Sequence, residues 1–258
     1  MRVDGADIRV AVRGQGPPLL LFNGIGAALE MWDRLSGELT GRGRQLIALD
    51  LPGAGSSPPV FPPPRMSRLV RVATGVLDRL EVERADVLGV SFGGAVAQQF
   101  ARQAPERTRR LVLCATSTGT ISVPARPSVL VHLATPLRYW NRSYARRVSG
   151  ILYGGRARED DGRQDRLEAR FSRPPSAVGY TGQLYAAAGW TSLPWVHTLV
   201  APTLVMAGDD DPIIPLVNAR ILAHRIPRAT LHVVRGGGHL FLIEQPTSSA
   251  EAIDAFLG

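Results

Sequence analysis

An α/β fold, a mostly parallel and doubly wound sheet carrying one inserted helical segment, is the class this sequence predicts. Three observations carry that expectation. Short runs of wholly apolar residues recur along the chain, stretches of helical spacing stand between them, and one long interval interrupts the rhythm. Runs apolar at every position belong in a sheet covered on both faces. PLLLF (18–22), QLIALD (45–50), ADVLGV (85–90), RLVLCAT (110–116), PTLVMAG (202–208) and TLHVVR (230–235) are therefore the predicted buried strands. VDGADIRVAVRG (3–14) reads as an antiparallel edge hairpin leading in, and helices are expected over 28–39, 67–80, 93–103, 216–225 and 248–257. PPVFPPP (58–64) can continue neither helix nor strand and reads as a stiff surface loop.

The interval from 118 to 198 is too long for a structureless loop inside a compact domain. It is expected to be a helical cap, or lid, inserted into a core formed by 1–117 and 199–258. Tyr139, Tyr144, Tyr153, Tyr180 and Tyr185, all the tyrosines of the chain, fall in it together with Trp140, Trp190 and Trp195. Such aromatics can line a binding cavity or form the insertion's own small core, and one set can do both.

Composition narrows the function classes. At 258 residues the chain can bury a core large enough to fold without metal or disulfide. Its single cysteine, Cys114, excludes an internal disulfide framework and a multi-cysteine zinc site. No secretory h-region and no transmembrane segment of about 18 apolar residues is evident, so a cytoplasmic location is expected. A net charge of +8 and a pI near 10.8 raise nucleic-acid binding. All 30 basic residues, however, are arginine and are spread over the whole chain. No zinc-finger or RNA-binding signature accompanies them, and no nucleic-acid partner is expected. Residues 126–173 do hold a local excess of arginine over Glu159, Asp160, Asp161, Asp165 and Glu168, readable as a solvated helical face or as a surface turned to an anionic partner.

The reactive residues sit at strand ends. Gly89-Val90-Ser91-Phe92-Gly93 matches G-x-S-x-G, a weak pattern alone but one set here between a predicted strand and a predicted helix. That context places the Ser91 hydroxyl at the carboxyl edge of the sheet as a nucleophile, on a strained turn that small neighbours permit. A serine nucleophile needs a base, and the base an orienting acid. His239, after the glycine run 236–238 and the last strand, and Asp211, after the preceding strand, supply them. The order Ser91, Asp211, His239 is that of α/β-hydrolases. Asp209 and Asp210 remain rivals for the acid. His132, His197, His224 and His232 read as structural, Cys114 as inert core, and Asp50 as a tie for its own loop. Backbone N–H groups of Phe92 and Ile25 are the expected oxyanion donors, the latter in the Asn23-Gly24-Ile25-Gly26 turn.

On the segments FNGIG, DLPGAGSS, GVSFGG, AGDDDPIIP and GGGHLFLI the chain resembles the α/β-hydrolase superfamily over essentially its whole length. More narrowly it resembles intracellular medium-chain-length polyhydroxyalkanoate depolymerases. PLLLFNGIGAALEMW, ILYGG (151–155), AAAGWTSLPWVH (186–197) and the run from Pro202 to Val234 carry that likeness. Phe92 departs from it, standing where the family favours tryptophan. The resemblance implies ester hydrolysis through an acyl-enzyme, with no metal and no organic cofactor, on a polyester of 3-hydroxyacids held as intracellular granules. A hydrophobic ester or polyester is the expected substrate, contacted by Asn23, Tyr139, Tyr185, Trp190 and Leu240, and a granule surface is the further expected partner. The same three residues also serve carboxylesterases, lactonases and C–C bond hydrolases. A non-catalytic ligand-binding or granule-associated protein on this scaffold is the remaining alternative.

Overall fold

The structure, a computed structural model, describes residues 1–159 and 173–258. Strands β1 (Arg2–Val3) and β2 (Ala6–Asp7) pair as a small antiparallel hairpin of their own. The main sheet comprises β3 (Val10–Arg13), β4 (Pro18–Phe22), β5 (Gln45–Leu49), β6 (Ala85–Val90), β7 (Thr108–Cys114), β8 (Thr203–Gly208) and β9 (Ala229–Val234). Their spatial order is β3-β5-β4-β6-β7-β8-β9, with β3 antiparallel to β5 and all other neighbours parallel.

Helices α1 (Asp33–Thr40), α2 (Met66–Arg79) and α3 (Phe92–Gln103) precede the long interval between β7 and β8. That interval holds α4 (Pro127–Leu133), α5 (Leu137–Trp140), α6 (Arg142–Tyr153) and α7 (Ala177–Ala187). α8 (Leu216–Arg225), α9 (Phe241–Glu244) and α10 (Pro246–Leu257) follow it.

Burial explains the wholly apolar strands. Leu19 and Leu21 pack with Leu35 and Leu39 of α1 and with Ile253 and Leu257 of α10 on one face. Leu20 and Phe22 point the other way, against Val70 and Leu77 of α2 and Val96 and Phe100 of α3. Each buried leucine contributes about 1.5–3 kcal/mol by leaving water. α2 shows the matching helical pattern, burying Leu69, Val70, Ala73, Val76 and Leu77 while Arg71 and Arg79 face solvent.

The strand order reverses beside β4, whose neighbours are β5 on one side and β6 on the other. The crevice at the carboxyl ends of β4 and β6 is thus the topological switch point, where ligands of open α/β sheets bind.

Several expectations need correction. TLHVVR is not a covered strand: β9 forms the sheet edge, and Thr230, Leu231 and His232 are exposed. Apolar content alone does not say whether a strand has one neighbour or two. The 3–14 hairpin divides, β1–β2 standing apart while β3 joins the sheet edge. The helix expected over 28–39 opens as a 3₁₀ turn, Leu29–Trp32, before α1. β7 spans Thr108–Cys114 instead of 110–116, and it ends where Ala115 adopts a left-handed φ of 46°.

The ends of the long interval lie side by side. Gly119 and Thr191 form an antiparallel bridge, Thr120 N–H donates to Trp190 O at 2.8 Å, and Ser192 N–H donates to Thr118 O at 2.9 Å. Among the described residues no helix is long and apolar enough to cross a membrane. Of the arginine-rich stretch, Arg156 donates to Glu244 O and Arg158 pairs with Asp210, whereas Arg163, Asp160, Asp161, Asp165 and Glu168 lie outside the described residues.

Candidate active site

β6 ends at Val90, and Ser91 follows it at φ 55° and ψ −118° as the residue before α3. A left-handed φ is uncommon for a side chain with a Cβ, and hydrogen bonds on both sides hold it here. Ser91 N–H donates to Cys114 O at 2.9 Å, and Ser91 O accepts from Gly94 N–H, Ala95 N–H and the Thr116 hydroxyl. Close approach dictates the flanking glycines. A Cβ on Gly89 would overlap Gly93 O, and a Cβ on Gly93 would overlap Phe22 O. α3 therefore sits tight against β4 and β6, with Ser91 raised at the turn.

Asp211 and His239 come from the loops after β8 and β9. Asp211 Oδ1 accepts the N–H groups of Ile213 and Ile214, each at 2.9 Å, which turns the other oxygen outward. Asp211 Oδ2 lies 2.8 Å from His239 Nδ1 in a buried contact. A carboxylate accepts only, so Nδ1 carries the hydrogen and Nε2 keeps a lone pair able to take a proton. His239 N–H donates to Tyr153 O at 2.7 Å, which fixes the histidine loop against the end of α6.

The rival acids have other partners. Asp209 accepts Gly236 N–H at 2.8 Å, and Asp210 accepts Gly155 N–H and pairs with Arg158, both at 2.7 Å. The Arg158 guanidinium holds the Asp210 carboxyl below the usual range.

The loop after β4 is gripped from the insertion. Tyr139 OH donates to Ile25 O at 2.6 Å, and Gly26 N–H donates to Gln183 Oε1 at 2.8 Å. These are the two polar atoms of one peptide unit, so its plane is set by α5 and α7. Below it, Asn23 Nδ2 donates to Ala27 O at 3.2 Å, and Asn23 Oδ1 accepts from the Trp32 indole. The N–H groups of Ile25 and Phe92 have no acceptor among the described residues, Phe92 because it opens α3. Both residues, with Ser91 and His239, line one cavity of about 440 Å³.

Tyr139, Trp190 and Leu240 line that cavity, as do Tyr153 and Tyr180. Asn23 and Tyr185, expected at the substrate, do not. Asn23 is buried under the loop it braces, and Tyr185 is exposed beneath the Arg65 guanidinium, 3.8 Å from its ring centroid. A loop asparagine and a helical tyrosine give no sequence signal of the direction they face. Gln183 and Arg138 carry no such signal in the sequence; one lies two residues after Thr181 in a helix and the other sits in the arginine-rich segment, and only the structure shows that both are turned inward. Asp50 does tie its loop, accepting Leu29 N–H at 2.7 Å and Ser56 N–H at 2.9 Å, while burial raises its pKa. Burial likewise pushes up the thiol of Cys114.

This frame is that of a known class: the chain belongs to the alpha/beta hydrolase fold family, whose profile matches residues 17–246. It is 44% identical over 264 residues to the poly(3-hydroxyalkanoate) depolymerase of Ectopseudomonas oleovorans, covering 100% of this chain and 91% of that protein. It is also 33% identical to the 2-hydroxymuconate semialdehyde hydrolase of Pseudomonas sp. (strain CF600), covering 95% and 88% of the two chains. Among solved structures, a meta-cleavage product hydrolase from Pseudomonas fluorescens IP01 superposes with a TM-score of 0.84 at 25% identity, covering 99% and 96%.

Proposed function

We propose that this protein is a serine hydrolase that cleaves the ester bonds of medium-chain poly(3-hydroxyalkanoate) or its oligomers. The full-length likeness to a depolymerase, at 44% identity, carries the reading of substrate. Ser91 is the nucleophile, His239 the base and Asp211 the acid that orients it. As Ser91 Oγ attacks the ester carbonyl, His239 Nε2 takes its proton, and the Phe92 and Ile25 N–H groups stabilise the oxyanion. The alcohol leaves with the proton returned by His239, and water then releases the acid from Ser91. Residues 118–198 act as the cap, and Tyr139, Trp190 and Leu240 contact the alkyl side chains. No metal or organic cofactor enters this scheme.

In this reading the protein is cytoplasmic and meets its polymer as granules. Release of 3-hydroxyacids from amorphous granules, with Ser91→Ala beside the wild type, tests it. Release that vanishes in the variant is the expected result. Ser91-dependent turnover of short soluble esters without release from granules would overturn the polymer claim and leave a carboxylesterase or lactonase.

A second reading, hydrolysis of a C–C bond in a ring-cleavage product, is favoured by the 33% identical relative and by the superposition on the meta-cleavage product hydrolase. Turnover of 2-hydroxymuconate semialdehyde exceeding that of any ester would establish it. Ligand binding with no Ser91-dependent turnover of any of these substrates would indicate a non-catalytic role.

A further inference from the structure

Arg138 is 3% exposed, yet it forms part of the wall of the cavity that holds Ser91 and His239. Its Nη1 donates to two backbone carbonyls, Thr135 O at 3.1 Å and His132 O at 3.4 Å. Its guanidinium lies 4.7 Å from the ring centroid of Tyr139 and 5.3 Å from that of Tyr180. Its Nε has no hydrogen-bond partner, and no carboxylate pairs with it among the described residues. Neutral carbonyls and ring faces soften the loss of water around this cation without neutralising it, and guanidinium does not deprotonate in proteins. Among the described residues this buried positive charge therefore has no carboxylate partner, in a cavity whose other walls are largely apolar.

Arg138 also packs its guanidinium over the Tyr139 ring on the wall of that cavity. It is next in sequence to Tyr139, whose hydroxyl reaches Ile25 O in the loop beside Ser91. The group best matched to a guanidinium fork is a carboxylate.

We propose that Arg138 is a carboxylate-binding subsite, which holds the free acid of the terminal 3-hydroxyacid unit of a polyester chain while the preceding ester is cut at Ser91. The inference rests on the hydrolase reading given above and names the end of the substrate that enters the cavity. Two carbons separate the carboxylate of a 3-hydroxyacid from its ester oxygen, so a chain anchored by its acid end presents its last ester next. Ser91 forms the acyl bond to the shortened chain, and the C–O bond to the terminal unit breaks. That unit leaves as the 3-hydroxyacid, its oxygen protonated by His239. Water then adds to the acyl-enzyme and regenerates a free carboxylate, ready for the same subsite in the next cycle.

The test uses the dimeric ester of 3-hydroxyoctanoate as the free acid and as its methyl ester, which removes the charge and leaves the scissile bond. The wild type is expected to favour the free acid by about 10- to 100-fold in kcat/KM, the range of a charged hydrogen bond. Arg138→Gln should bring that ratio close to 1 while still hydrolysing the methyl ester. Equal kcat/KM for the two substrates in the wild type, or a preference that survives in Arg138→Gln, would overturn the subsite. The wild-type comparison stands even where the variant does not fold.

Calorimetric binding of 3-hydroxyoctanoate against its methyl ester, to wild type and to Arg138→Gln, separates the two readings. Carboxylate-selective binding that depends on Arg138, without turnover of either dimer, would sink the ester-hydrolase reading and keep the subsite. Turnover of both dimers with no selectivity would do the reverse.

Discussion

Asp209, Asp210 and Asp211 are consecutive, yet each has its own partner: a loop amide, an arginine of the insertion, and an imidazole. Asp211→Asn is expected to lower kcat by about 10⁴-fold, since an amide can stabilise the wrong histidine tautomer. Asp210→Asn should leave kcat nearly unchanged; equal losses in the two variants would count against the assignment. Asp210 has a different consequence, for acid stability. Its pKa is lowered by Arg158, so its contribution is present above the ordinary carboxylate range and fades as pH falls through the lowered value. The pair is half exposed, with side-chain accessibilities of 49% and 44%, and screening limits it to about 1 kcal/mol or less. The Tm difference between wild type and Asp210→Asn should accordingly be small at neutral pH and vanish on acidification.

At the scale of elements, helices from the insertion complete a loop of the core. Tyr139 and Gln183 hold the Ile25–Gly26 peptide, and the neighbouring Ile25 N–H is the proposed oxyanion donor. Tyr139→Phe and Gln183→Met each release one end of that peptide. Each is expected to lower kcat by up to about 100-fold, the cost of a misplacement of about 1 Å, with a smaller change in KM. A loss confined to KM would count against this positioning role and leave Tyr139, which lines the cavity, as a simple substrate contact. Where α3 packs on the sheet, Phe100 meets Phe22 with ring centroids 5.9 Å apart and planes tilted by 52°, and Phe100→Ala should cost about 3–5 kcal/mol in denaturant unfolding.

The central strands were legible because burial on both faces demands apolar residues at every position, which leaves a continuous run. The edge position of β9 was not, since TLHVVR is apolar enough for either role and its exposure depends on what fails to pack beside it. The candidate residues Ser91, Asp211 and His239 could be picked out by their places after strand ends. Residues that act through another element, such as Gln183 reaching Gly26 across 157 positions, leave no local trace.

For the whole molecule, the insertion is held down at several places: by Tyr139 and Gln183 on the loop after β4, by Tyr153 on the histidine loop, and by Arg158 on Asp210. In the arginine-rich stretch, Arg156 and Arg158 have partners in the core. By contrast Val131, 69% exposed, and Trp140, 51% exposed, present apolar surface outward. Under the proposed polyester reading, binding to polymer granules is therefore expected to persist at 1 M salt, about the concentration at which the screening length falls to 3 Å. Co-sedimentation of protein with granules measures it, and release by salt would return the contact to the arginines.

The backbone bridge between Gly119 and Thr191 has an evolutionary reading. Where the two ends of a long segment emerge side by side, a lineage can exchange everything between them without altering the register of the sheet beneath. A protein named poly(3-hydroxyalkanoate) depolymerase and one named 2-hydroxymuconate semialdehyde hydrolase are both similar to the present chain over most of their length. Such a junction lets the frame stay constant while its roof is recast, provided each new roof still supplies partners for the two polar atoms of the Ile25–Gly26 peptide.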